Sequence, residues 1–137
     1  NKIQKVHGIQ LTYNSGGMYN NIRFDPVPLD QIDATTQLLD EELSKYNCSL
    51  SKIGLKEIIL RSNLRQNENK LSGILILNTN IFIDSDLNYN PRSSIHHEIF
   101  HLIQNRIVIA EFWIWIVVYT KHGEREGKQS SVYIFFL

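Results

Sequence analysis

Residues 91–106, PRSSIHHEIFHLIQNR, decide how the chain is read. Pro91 suits the first turn of a helix, where its missing N–H would have no intrahelical partner. Ile95, Ile99 and Leu102 recur at spacings of four and three, which gathers them on one side of a helix from Arg92 to about Arg106. His97 and His101 are also one turn apart and fall on a neighbouring face. Such a helix has an apolar back to pin it to a core and a histidine front to line a cleft.

Upstream, Leu71–Leu77 (LSGILIL) and Ile81–Asp84 read as two strands separated by Asn78-Thr79-Asn80, and Lys56–Leu64 reads as a third. The polar run Gln66–Lys70 is a loop, and Asn88-Tyr89-Asn90-Pro91 breaks the chain before the helix. Leu29, Ile32, Thr36, Leu39, Leu43 and Tyr46 follow helical spacing and predict an amphipathic helix opened by Pro28. Asp30 and Asp33 complement its dipole, and Asp40, Glu41 and Glu42 read as its solvated side rather than a metal cluster. Val6–Tyr13 alternates like a strand, Asn14–Gly17 is a turn, and Asn21–Phe24 is a short extended piece. The order strand, helix, three strands, helix predicts an α+β domain, with a mixed sheet of about four to five strands, a backing helix and a site-bearing helix.

The chain has 137 residues, 42% apolar and 20% charged, which suffices for one domain with a real core. Fourteen Lys plus Arg balance fourteen Asp plus Glu, so no overall field argues for nucleic acid or an anionic membrane. Cys48 is the single cysteine and excludes an intrachain disulfide. The longest apolar run, Ile107 to Tyr119, is broken by Glu111 and falls short of the roughly 20 residues that span a bilayer. The chain opens at Asn1 without a charged-then-apolar leader, which reads as a processed or trimmed product.

His97-Glu98-Ile99-Phe100-His101 is a complete H-E-x-x-H. Two imidazoles one helical turn apart can share one Zn²⁺, with bonds of about 2.0–2.1 Å. Glu98 is rotated by about 100° from His97 and lies beside the metal without ligating it. From there it can accept a proton from water acidified by the ion. His96 points away from that pair and reads as a surface or supporting residue. His7 and His122 stand alone.

Ile95-His96-His97-Glu98-Ile99-Phe100-His101-Leu102-Ile103 resembles the active-site helix of zincin metallopeptidases, and the preceding LSGILILNTNIFIDSD resembles their edge strand and the strand that follows it. The resemblance covers residues 1–106, with HEIFH its specific part, and extends to bacterial zinc metallopeptidases of the lethal-factor-like type. It implies a zincin-like N-terminal catalytic subdomain over 1–106, a peptide or protein substrate laid along Gly73–Leu77, Zn²⁺ as cofactor, and a secreted or cell-envelope bacterial protein. Metzincins carry a Gly and a third His where this chain has Gln104 and Ile107. The pattern therefore resembles a gluzincin, whose third ligand is a later Glu.

Glu124 is the first choice for that ligand, ahead of His122, Glu126 and Glu111. On a continued helix Glu111 would lie about 15 Å beyond His101, and Gly123 and Gly127 argue against a helix around Glu124 and Glu126. His122, Tyr119 and Tyr133 are candidates for stabilising the oxyanion. Residues 107–137 form an apolar tail, either closing the core or belonging to a C-terminal subdomain that continues past Leu137. The expected activity is zinc-dependent peptide hydrolysis with Glu98 as general base. The alternative is a degenerate or truncated peptidase domain acting as a non-catalytic binding module through that tail.

Overall fold

The computed structural model describes the backbone of residues 1–124 and the side chains of residues 1–107. The chain divides into two compact units, Asn1–Leu102 and Ile103–Leu137. The first unit holds a mixed seven-stranded sheet and, with α3, three helices contribute to the described chain, so the protein is α+β.

The chain opens with helix α1 (Lys2–His7), where an alternating strand is expected from Val6 onward. Two local devices override the alternation. The Asn1 side chain accepts the Ile3 N–H at 2.9 Å and caps the helix. Gly8, at φ 68, ends it in the left-handed conformation that glycine adopts without strain. The strand survives only as β1 (Gln10–Thr12). The hairpin of β2 (Gly17–Tyr19) and β3 (Ile22–Asp25) follows, its second strand at the expected extended piece.

Helix α2 (Leu29–Leu43) forms where its periodicity predicts, with Pro28 at the N-cap position rather than inside the helix. Its buried face is turned relative to the expected one. Thr35, Leu39, Glu42 and Leu43 are buried, while Leu29 is 88% exposed. Glu42 is thus a correction to the solvated reading of Asp40, Glu41 and Glu42, since it is only 1% exposed.

Strands β4 (Glu57–Gln66), β5 (Asn69–Lys70), β6 (Gly73–Ile76) and β7 (Asn80–Asp84) complete the sheet. The order along its main path is β2-β3-β4-β7-β6, with β1 and β5 also paired to β4. β1 and β7 run parallel to β4, and β3, β5 and the β6–β7 pair are antiparallel. The β6–β7 hairpin turns through Leu77 and Asn78 at φ 56 and φ 55, the handedness that suits a tight two-strand turn.

Alternation along the strands gives the sheet two apolar faces. Ile58 and Leu60 lie beside Ile81 and Ile83 in register, and all four are fully buried. This is the helix-covered face: a Cβ at Gly73 would meet both the Ile83 side chain and that of Glu98 on the last helix. Phe82 points to the other face and clusters with Ile22 and Leu64, flanked by Phe24, Ile59, Ile74 and Ile76. There Phe24 packs on Phe82 at 5.4 Å between ring centres. Among the described residues, no helix is long and apolar enough to cross a membrane.

A single 3₁₀ turn (Leu87–Tyr89) leads into α3 (Pro91–Glu124). Asn90 takes a left-handed conformation, and its side chain accepts the Ser93 N–H at 3.2 Å, satisfying a first-turn donor. The helix continues beyond Arg106, through His122 and Gly123, to Glu124.

Candidate metal centre

The first four turns of α3 carry the site. Ile95, Ile99 and Leu102 are fully buried, so the expected apolar back fixes the rotation of the helix. That rotation sets His97 and His101 on an outer face one turn apart. Their Nε2 atoms lie 3.0 Å from each other, with the rings perpendicular at 88°. Two nitrogens bound to one tetrahedral zinc at ordinary bond lengths would stand about 3.3 Å apart. The two nitrogens share a hydrogen bond, and their spacing is close to that of a chelating pair.

Glu98 occupies the next position inward and is 7% exposed. Burial lifts its carboxyl above the usual glutamate range. The neighbouring His97 and His101, and the backbone N–H of Leu75 on β6, pull in the opposite direction and restrain the shift. A carboxylate so placed is a better proton acceptor than one in water.

β6 ends the sheet path and is its edge strand, as the expectation for Gly73–Leu77 requires, though the strand itself stops at Ile76. Gly73 explains how closely β6 approaches α3. A Cβ there would lie 3.3 Å from Glu98 Cγ, 3.1 Å from the Phe82 carbonyl oxygen and 3.0 Å from Ile83 Cδ1. Gly73→Ala is accordingly expected to destabilise the protein by about 1–2 kcal/mol through overpacking. Urea unfolding checks this, and an unchanged midpoint would mean a looser approach than the one described.

A second layer, which charge and spacing alone did not reveal, holds α3 from behind. His96 turns from the histidine pair towards α2. Its Nε2 bonds the Glu42 carboxylate, and its Nδ1 lies 2.7 Å from the Tyr46 hydroxyl. Glu42 also accepts from Lys45 at 2.8 and 2.9 Å and from Arg92. Burial alone would push its carboxyl up, but the bonds from Lys45, His96 and Arg92 outweigh this and hold it down at about 2. The sequence does contain a signal for this cluster. Glu42 falls three residues after Leu39 and directly before Leu43, an acidic residue set within an apolar row.

His7, uninformative in the sequence, ties α1 to α2 through Asp40 at 2.9 Å. Among the described residues no three His, Cys, Asp or Glu side chains converge as a metal group. The side chains of Glu111, Tyr119, His122 and Glu124 lie outside the described residues, as do Glu126 and Tyr133 altogether. The donor set in hand therefore fits two positions of a zinc site and a general base beside it. No family model, no curated protein and no solved structure matches the chain, so the reading of this site rests on its own geometry.

Proposed function

We propose that the protein is a zinc-dependent peptidase of the zincin type, with His97 and His101 as metal ligands and Glu98 as general base. The observation that carries the reading is the convergence of two Nε2 atoms at 3.0 Å beside a buried carboxylate. A zinc ion held there would supply Lewis acidity, polarising a carbonyl and making water easier to deprotonate. Glu98 takes the proton from the attacking water and passes it to the leaving amine. The outward edge of β6 can add a substrate peptide as a further strand, placing its backbone along the face that holds Glu98.

Catalytic zinc sites ordinarily hold three protein ligands. Glu124, the sequence's first choice for the third, ends the same helix that carries both histidines. At about 1.5 Å of rise per residue, the backbone at His122 and Glu124 lies farther along that axis from His101 than at Glu111, so the third ligand has to come from outside α3. The two-ligand set among the described residues is also what favours the second reading, a degenerate domain that binds without cleaving.

Glu98→Gln separates the two. The full chain with one equivalent of zinc should cleave unstructured peptides, and the variant should keep its zinc while losing about 100- to 10,000-fold in rate. Absence of cleavage by the unsubstituted, zinc-loaded protein would favour the binding module.

A further inference from the structure

Arg23 of β3 and Arg65 of β4 are direct cross-strand partners in an antiparallel pair. Lys70 of β5 stands opposite Arg65 on its other side, and Met18 of β2 stands opposite Arg23. Residues directly opposite each other project to the same face of a sheet. One face therefore carries the row Met18, Arg23, Arg65, Lys70, with three cations on neighbouring strands. Like charges directly opposed weaken a sheet, so this arrangement calls for an explanation.

Lys70 has partners: Asn63 Oδ1 at 3.1 Å, Asp84 at 3.8 Å and the ring of Tyr89 at 4.5 Å. The two arginines do not. Neither guanidinium has a hydrogen bond or ion pair among the described residues, and the Arg65 Nε is buried without an acceptor. The contrast within the chain is clear. Arg61 bonds the Thr12 carbonyl at 2.8 Å and Ser15 Oγ at 3.1 Å, and Arg92 pairs with Glu41 and Glu42.

Arg23 and Arg65 open onto a cleft of about 380 Å³, also lined by Met18, Asn21, Asn67 and Glu68. Glu68 is the one carboxylate in that lining, and it forms no ion pair with either arginine. We infer that this cleft binds a phosphate-type dianion, free or as the monoester of a small molecule. Two guanidiniums match its charge of nearly two and present fork-shaped donors to its oxygens. The bound anion would turn the opposed cations from a repulsive pair into a bridged one.

The test is an NMR titration of the full chain with inorganic phosphate and, in parallel, phosphoserine, at constant ionic strength, with chloride and acetate as controls. Saturable shifts are expected at the backbone amides of Arg23, Arg65 and Asn67. Arg23→Gln and Arg65→Gln should each weaken binding by about tenfold or more, Glu68→Gln should tighten it, and Lys52→Gln should leave it unchanged. Tighter binding of phosphoserine names an ester as the ligand, and tighter binding of phosphate names the free ion. Arg23 is exposed, so Arg23→Gln decides the matter even if Arg65→Gln does not fold. Non-saturating shifts, acetate binding as tightly as phosphate, or binding that survives Arg23→Gln would overturn the inference.

Discussion

Replacing either His97 or His101 by alanine is expected to weaken zinc binding by at least about 100-fold, because each supplies a direct ligand rather than an outer support. The geometry makes the two losses equivalent. The Nε2 atoms face each other at 3.0 Å, so neither histidine can compensate for the other by a rotamer change alone. Both residues sit on the outer face of α3, opposite the buried row of Ile95, Ile99 and Leu102, and alanine should leave the helix in place. Competition against a chromophoric chelator measures the affinity. Thermal melts with and without zinc provide an independent check, since an ion bound only by the folded state raises the midpoint. Zinc should stabilise the unsubstituted protein and not the variants. Equal zinc affinity in all three proteins would remove the metal from this site, and the peptidase proposal with it.

The second large effect belongs to Glu42. Its carboxylate is 1% exposed and bonds His96, Arg92 and Lys45. Removing one partner from a buried ionic cluster leaves the others uncompensated, but Lys45 and Arg92 reach it from solvent and can rehydrate. Glu42→Gln is therefore expected to cost about 2 kcal/mol at neutral pH, at the lower end for such clusters.

The pH dependence follows from the sign of the shift. The folded-state pKa of about 2 lies below the ordinary 4.5, so this stabilisation is fully present above pH 4.5. It is lost as the pH falls from 4.5 towards about 2. Urea unfolding of both proteins across that window should show the difference shrinking with acid. A gap that stays constant with pH would assign the effect to packing instead of charge.

Several elements were legible because their signals are local. The strands β4, β6 and β7 sit at or near the expected stretches, and α2 and the start of α3 follow apolar spacing. α1 was not legible. Six residues are too few for helical period to outweigh an apparent alternation, and the decision fell to an Asn1 cap and a Gly8 stop. The buried face of α2 was misplaced because a spacing of three and four fits more than one neighbouring stripe. Tertiary contacts selected the stripe containing Thr35, Leu39, Glu42 and Leu43, with Thr35 bonding the Ser85 carbonyl and Glu42 bonding His96 of α3.

The order of residues 91–106 by itself determined that two imidazoles and a carboxylate would share one stretch of helix, since a turn of backbone is all that relates them. Packing decided the rest. It buried Glu98 against the Leu75 N–H, set β6 at the sheet edge beside it, and turned Glu42 from an apparent surface charge into the anchor of His96. Those relations join residues far apart along the chain, and no local period encodes which distant partner will be close enough to desolvate a charge or accept its proton.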